Sequence, residues 1–500
     1  LTSIPIDRVV AESHRALKMG DTVRAMGLIR ELSRQASHDP RTRLLQGMSA
    51  LMFGQAEQAV RLLEQVAFEL PEDDQRKAGI HLARARMAGG DAAGALATIE
   101  PFASADGASG FVVATKAEAL VAAGRLDEAD GLLNGFAKDD SDAHHLAIAR
   151  ARLAFATPVN DSSLPVRESA AIAALEAHHE RVGVPGAVLS ELLLCLGELL
   201  ARRGEDIRAA HLFKRSAGLN PVRADVRPYA QTIASMLQSW NATTLGRAPR
   251  VKTGPASESQ RPLFVVGMPG GGAELAARLL ALSPAAGLCG DADALGGAIM
   301  KGRAGSSDGA QPVVIDPSKL TGKQLETAAE AYLGRTDPGD AGITRVIDAN
   351  PLNLHELGVA AMMLPRARVV VVRRAAFDAC FGCLLRHRNP RLLFAHDPRT
   401  LAVFAGGMRR LEEHWLGLFR SDRLPLAAHE VDYADLLAGG EAVGSLFAFA
   451  GLNAPGEDEV RGVLADHTRW TANGTGLDAR FMQGMPELAS AVAQSDIGRA

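Results

Sequence analysis

A chain of 500 residues is longer than one hydrophobic core supports, so two or more domains are expected. Apolar residues make up 47% of it and aromatic residues only 4%, a mixture that suits closely packed helices better than a β-sandwich. The net charge of −4 leaves no basic excess for nucleic acid or an anionic membrane. Cys195, Cys289, Cys380 and Cys383 are too scattered for a disulfide framework and fit a reducing compartment. No apolar run is long enough to span a membrane. The start, LTSIPIDRVV, lacks both an initiator Met and the basic and apolar regions of a signal peptide. A cytoplasmic location is therefore the default expectation.

The first half reads as a repeat array. In LCLGELLARRGEDIRAAHLFKRSAGLNP, Gly197, Leu200, Gly204, Ala209, Phe213 and Pro221 stand at the offsets of the tetratricopeptide (TPR) pattern. Small residues let two antiparallel helices approach, Gly204 allows the turn between them, and Pro221 ends the second helix. The offsets recur with turn glycines at 20, 54, 90 and 124, a period of about 34 residues. A degraded repeat with an inserted loop, TPVNDSSLPV, is expected between about residues 140 and 190. This resemblance implies an all-α TPR solenoid over residues 1–223, with a groove for a protein or peptide partner. The other reading is a passive arm packed on the second domain. His144-His145 and His178-His179 read as surface or inter-helix residues rather than metal ligands, and no metal is expected.

Residues 224–260 read as a connecting helix, Tyr229 to Trp240, and a polar linker rich in Gly, Pro and Ser. From 261 to 500 the pattern becomes α/β. Short apolar runs at Leu263–Gly267, Thr344–Ile347, Ala367–Val372 and Ala428–Val431 alternate with helices, which predicts a parallel sheet flanked by helices.

The first run leads into a glycine loop, MPGGGAEL, and an apolar helix. That order makes an anion cradle of backbone N–H groups at a helix N-terminus. Gly267 and Gly272 have P-loop spacing, but Ala273 and Glu274 stand where a nucleotide triphosphatase needs Lys and Ser or Thr. That departure argues against an ordinary ATPase or kinase.

RPLFVVGMPGGGAELAARLLALSP resembles the first donor-binding motif of bacterial TPR-linked sulfotransferases. The match keeps Gly267, Met268, Pro269, Gly272 and Leu275. Gly270, Gly271, Ala273 and Glu274 replace the family's Arg, Ser, Thr and Thr. VIDANPLNLHELGVAAMMLPRARVVVVRRAAFDACFGCLL resembles the stretch through the 3′-phosphate motif, with Asp348, Pro351, Asn353, Gly358, Arg373, Arg374 and Asp378 in place. Ala349 replaces a Lys and Gly382 the phosphate-binding Ser. His414-Trp415, Val431-Asp432-Tyr433 and FAFAGL also resemble family stretches.

The resemblance implies a P-loop-like sulfotransferase domain using 3′-phosphoadenosine 5′-phosphosulfate (PAPS), with adenosine 3′,5′-bisphosphate as donor product. Gly267, Gly270, Gly271, Gly272, Ala273, Glu274, Arg373, Arg374 and Gly382 would line the donor. Asp291 stands near the family's catalytic Glu, where it reads equally as a base or as a helix N-cap. Arg373-Arg374 read as a phosphate clamp or as a solvated charge pair at a strand end. Cys380-x-x-Cys383 reads as helix packing rather than redox chemistry. Glu274 would oppose an anion by about 4 kcal/mol at ~4 Å and an effective dielectric of about 20, unless its side chain turns to solvent. The expected function is a family relative with a degraded donor site, acting as a protein-binding scaffold. The alternative is an active PAPS-dependent sulfotransferase acting on a hydroxyl of a protein, peptide or carbohydrate held with the help of the array.

Overall fold

The computed structural model describes residues 5–495 apart from 67–68, 105–107, 137–141, 291–292, 304–313 and 387. The chain divides into two compact units, Leu1–Arg223 with His387–His396, and Ala224–Arg386 with Asp397–Ala500. Among the described residues no helix is long and apolar enough to cross a membrane.

The first unit consists of helical hairpins. Its helices are α1 (Ile6–Met19), α2 (Thr22–Gln35), α3 (Pro40–Met52), α4 (Ala56–Glu64), α5 (Glu72–Ala88), α6 (Ala92–Ala103), α7 (Gly110–Ala122), α8 (Leu126–Gly135), α9 (Ala143–Ala156), α10 (Leu164–His178), α11 (Gly186–Arg202) and α12 (Asp206–Gly218). Each odd-numbered helix pairs with the next. Gly20, Gly54, Gly90, Gly124 and Gly204 make the turns within five of these pairs, with φ between 74° and 83°. That left-handed region is open to glycine at little cost. The turn between α9 and α10 has no glycine. There Asp161 Oδ1 accepts hydrogen bonds from the Ser163 N–H and hydroxyl, which shapes the turn through a side chain instead.

Small residues set the hairpin spacing. A β-carbon at Gly197 of α11 would lie 2.5 Å from the Phe213 ring of α12, and one at Gly47 of α3 would lie 2.6 Å from Leu63 of α4. The array also meets itself, because α1 packs on α11. A β-carbon at Gly186 would stand 3.3 Å from the Met19 carbonyl oxygen.

The second unit begins with α13 (Arg227–Ser239), α14 (Ala242–Arg247) and α15 (Pro255–Glu258). The stretch expected to be an open linker is thus partly helical. Trp240, Leu245, Val251 and Ala256 are buried, and the Val251 N–H donates to the Met362 carbonyl. Four widely spaced apolar anchors are enough to hold a chain whose average composition is polar.

Then follow β1 (Pro262–Gly267), α16 (Ala273–Leu280), β2 (Ala286–Leu288), α17 (Ala294–Gly302), α18 (Gly322–Arg335), β3 (Arg345–Asp348), α19 (Leu357–Met363), β4 (Arg368–Arg373), α20 (Ala376–Leu384), α21 (Pro398–Arg420) and β5 (Ala427–Asp432). The C-terminal helices are α22 (Tyr433–Ala438), α23 (Glu441–Ala450), α24 (Glu457–His467), α25 (Leu477–Phe481) and α26 (Pro486–Gln494). The sheet is parallel throughout, in the order β2-β3-β1-β4-β5. Leu263 and Val265 of β1 pack with α16, α22 and α23. Phe264, on the opposite face, meets Tyr332 of α18 with ring centroids 5.7 Å apart. Both faces are covered, which explains the unbroken apolar strands. Strand order reverses around β1, so the crevice at the carboxyl ends of β1 and β4 is where such a sheet places a ligand.

Candidate functional site

The glycine loop, residues 268–272, closes that crevice from one side and α20 from the other. Gly270, with φ +81°, approaches α20 so closely that a β-carbon would lie 2.5 Å from the Cys383 nitrogen. At Gly271 it would meet the Met268 carbonyl at 2.6 Å, and at Gly272, with φ +105°, the Tyr433 ring. A side chain at 270 or 272 would need both a strained backbone and a displaced neighbour. The loop is thus built for backbone contact. Ala273 and Glu274 open α16, and a helix leaves its first N–H groups without internal partners. Gly267, at the end of β1, lies beside Val372 of β4.

Arg374 binds the protein itself. Its guanidinium donates to Gly270 O at 2.6 Å, to Ala472 O at 2.8 Å and to Gly474 O. Its face lies 4.4 Å from the Tyr433 ring centroid. A β-carbon at Gly382 would stand 3.0 Å from Arg374 Nη1 and 3.2 Å from Ala472 O, so a serine there would crowd both. Arg373 lines the same cavity as Met268 and Arg374 but is engaged by carboxylates. Its Nε lies 2.6 Å from Glu412 Oε1, and Nη2 lies 3.2 Å from Glu430 Oε2. Glu412 is buried, which raises its pKa while Arg373 and Arg409 pull it down. Glu274 is mostly exposed and sits 3.5 Å from Arg386 Nη2, whose guanidinium also donates to Gly382 O and Asn473 Oδ1, so its charge is partly met by a cation at the rim of the cradle. Asp291 lies outside the described residues.

A second set of groups, not marked as site residues from the sequence, completes the crevice. The Tyr433 hydroxyl donates to Asn473 O and lies 3.0 Å from His467 Nε2, which therefore carries the proton of that contact. Burial pushes the His467 imidazole down to about 4, so it is neutral near pH 7. Arg386 Nη2 donates to Asn473 Oδ1 at 3.1 Å, and Asp378 accepts from the Gly476 and Leu477 N–H groups. Residues 472–477 are thus held against the cradle by Arg374, Arg386, Asp378 and Tyr433. The Asn-Gly-Thr-Gly run at 473–476 carries a turn signal, but nothing in it specifies that address. Cys380 and Cys383 are both buried, and burial pushes the Cys380 thiol up to about 12, which disfavours the thiolate near neutral pH.

On the other side of β1, Asp348 ends β3 and accepts from Tyr332 Oη at 3.2 Å and Asn353 Nδ2 at 2.8 Å. Burial, then Asp348 and Asp293, push the nearby Glu356 carboxyl up to about 7. The unfolded chain ionises this group near its ordinary value of 4.5, whereas the folded chain resists until about 7. Folded stability therefore falls as pH rises through that window and stays lowered above it. Glu356→Gln is expected to raise the melting temperature by several degrees at pH 8 and to leave it unchanged at pH 4. Thermal unfolding across that range checks it, and an equal gain at both pH values would refute the burial argument.

In the first unit, Asp142, His144 and His145 place ligand atoms within 4.8 Å of one another, a proximity not expected from the spacing alone. His145 stacks on Phe111 at 4.0 Å, and burial, then His144 and Arg84, push it down to about 3. The positive end of α9 and Arg84 both oppose a cation here, and we assign none.

A parallel sheet covered by helices on both faces, with a glycine loop and helix at its switch point, defines an open α/β domain. Residues 262–455 match the model of the sulfotransferase family. The chain is also similar to an uncharacterized protein of Aquifex aeolicus (strain VF5), 28% identical over 214 residues, or 41% of this chain. That alignment covers 27% of the relative, so the chain spans about a quarter of the protein it resembles.

Proposed function

We propose that this chain is a sulfotransferase-fold protein whose donor crevice has been given over to internal contacts, and whose helical array, of TPR type, holds a protein or peptide partner. The observation that carries the reading is Arg374. The guanidinium that would meet the 3′-phosphate of PAPS is engaged by three carbonyl oxygens and a tyrosine face. The other donor positions agree. Gly270 and Gly382 offer no side-chain donor and little room for one. PAPS does not fit this set of residues. The reading opposed to this one is PAPS-dependent transfer to a hydroxyl, favoured by the N–H groups that remain at the start of α16.

Calorimetric titration of the full chain with adenosine 3′,5′-bisphosphate separates the two. No saturable binding below about 1 mM is expected. A dissociation constant in the micromolar range would overturn the proposal and return the protein to the active class.

A further inference from the structure

The first unit includes ten residues from far along the chain, His387–His396. Their contacts say what this face of the array recognises. Glu191 of α11 is nearly buried, and Arg388 Nη2 lies 2.9 Å from its Oε2. Arg152 of α9 bridges the same carboxylate to Glu118 of α7, 2.6 Å away. Burial works to raise the Glu191 carboxyl, but Arg388, then Arg152 and Arg84, outweigh it and hold the group ionised. Beside this row stands an aromatic one. Phe111 of α7 is stacked on His145 of α9, edge-on to His81 of α5 with centroids 6.5 Å apart, and lies 6.0 Å beneath the Arg84 guanidinium. All of these groups come from the first helices of adjacent hairpins. The segment itself is compact. Leu392 N–H donates to Asn389 O and Ala395 N–H to Leu392 O, and Pro390, Leu392 and Ala395 are buried.

We propose that this face is a recognition site for a short basic segment that presents an arginine to Glu191, with an apolar residue a few positions on, and that residues 388–396 occupy it in the resting protein. The chemistry is a charge-assisted bond to a desolvated carboxylate beside an aromatic wall, which selects arginine over neutral side chains. A partner carrying an Arg-x-Pro-x-Leu segment would compete with the built-in one, so apparent affinity is reduced by the fraction of time the site is self-filled. The inference rests on the partner-binding half of the proposed function and is independent of the donor half.

The test uses the full chain and a fluorescent peptide of sequence RNPRLLFA. Arg388→Glu sets two carboxylates against each other and should expel the segment, so peptide binding should tighten at least tenfold over the parent. Adding Glu191→Gln, a change of charge at constant shape, should abolish that gain. Circular dichroism confirms that both variants stay folded. Equal affinity for parent and Arg388→Glu, or a double variant that binds as well as the single one, overturns the proposal. Adenosine 3′,5′-bisphosphate titrated into the same samples reports on the donor crevice separately, so failure of one reading is not mistaken for failure of the other.

Discussion

The Arg374→Ala protein is expected to lose about 3 kcal/mol of stability in its second unit. Three carbonyl oxygens, at Gly270, Ala472 and Gly474, lose a charged donor at once, and hydrogen bonds to charged groups contribute about 1.5–3 kcal/mol each before relaxation. Water will reach some of the freed oxygens, which is why the expected loss is well below the sum. Arg374→Lys should recover little, because one ammonium cannot reproduce a planar fork aimed at two separate strands of chain. Denaturant unfolding of the full chain reads the effect. A phosphate clamp would behave oppositely, with stability unchanged or improved on removal of a buried cation and only nucleotide binding affected.

The second large effect is expected at Gly358 in α19. A β-carbon there would lie 2.5 Å from the Trp240 ring. Trp240 in turn meets Trp415 edge-on with centroids 5.2 Å apart, and its carbonyl lies 2.8 Å from His414 Nε2. Trp415 donates to Leu354 O at 2.7 Å. None of these groups can retreat without breaking a further contact. Gly358→Leu should therefore cost about 3 kcal/mol or more and displace Trp240. Tryptophan emission should shift to the red, and protease sites should open between residues 241 and 262, a segment whose burial should protect it in the parent. Unchanged emission with an intact segment would show that the ring has room that the packing denies.

Much of this architecture could be read from residue types, for identifiable reasons. The turn glycines betray themselves because only glycine adopts φ near +75° cheaply, and the α9–α10 turn, which uses an Asp-Ser pair instead, is where the period fades. The strands β1 and β4 are continuous apolar runs because both faces are covered. Strand β2 escaped notice because Ala286–Leu288 is short and half-exposed, with no run to see. The crevice was legible as a list of substitutions, not as a geometry. Sequence spacing marks Arg374 as a cation near a phosphate position, but its partners lie about 100 residues away in both directions. The same holds for the polar linker after Trp240, where burial of Leu245, Val251 and Ala256 and the Val251 bond to Met362 tie down a segment that its composition marks as loose.

The contact between α1 and α11 bears on the order in which the molecule assembles. An open stack of hairpins forms from any starting point, each pair needing only its neighbour. Met19 and Gly186 are far apart in sequence, and the hairpins between them must be in place before they meet. That contact therefore closes late, and the cost of bringing its two ends together falls on the last step rather than the first. Once closed, neither terminal hairpin is an outer one. Fraying from an end, the usual weak point of a stacked array, must first break the contact between the two ends.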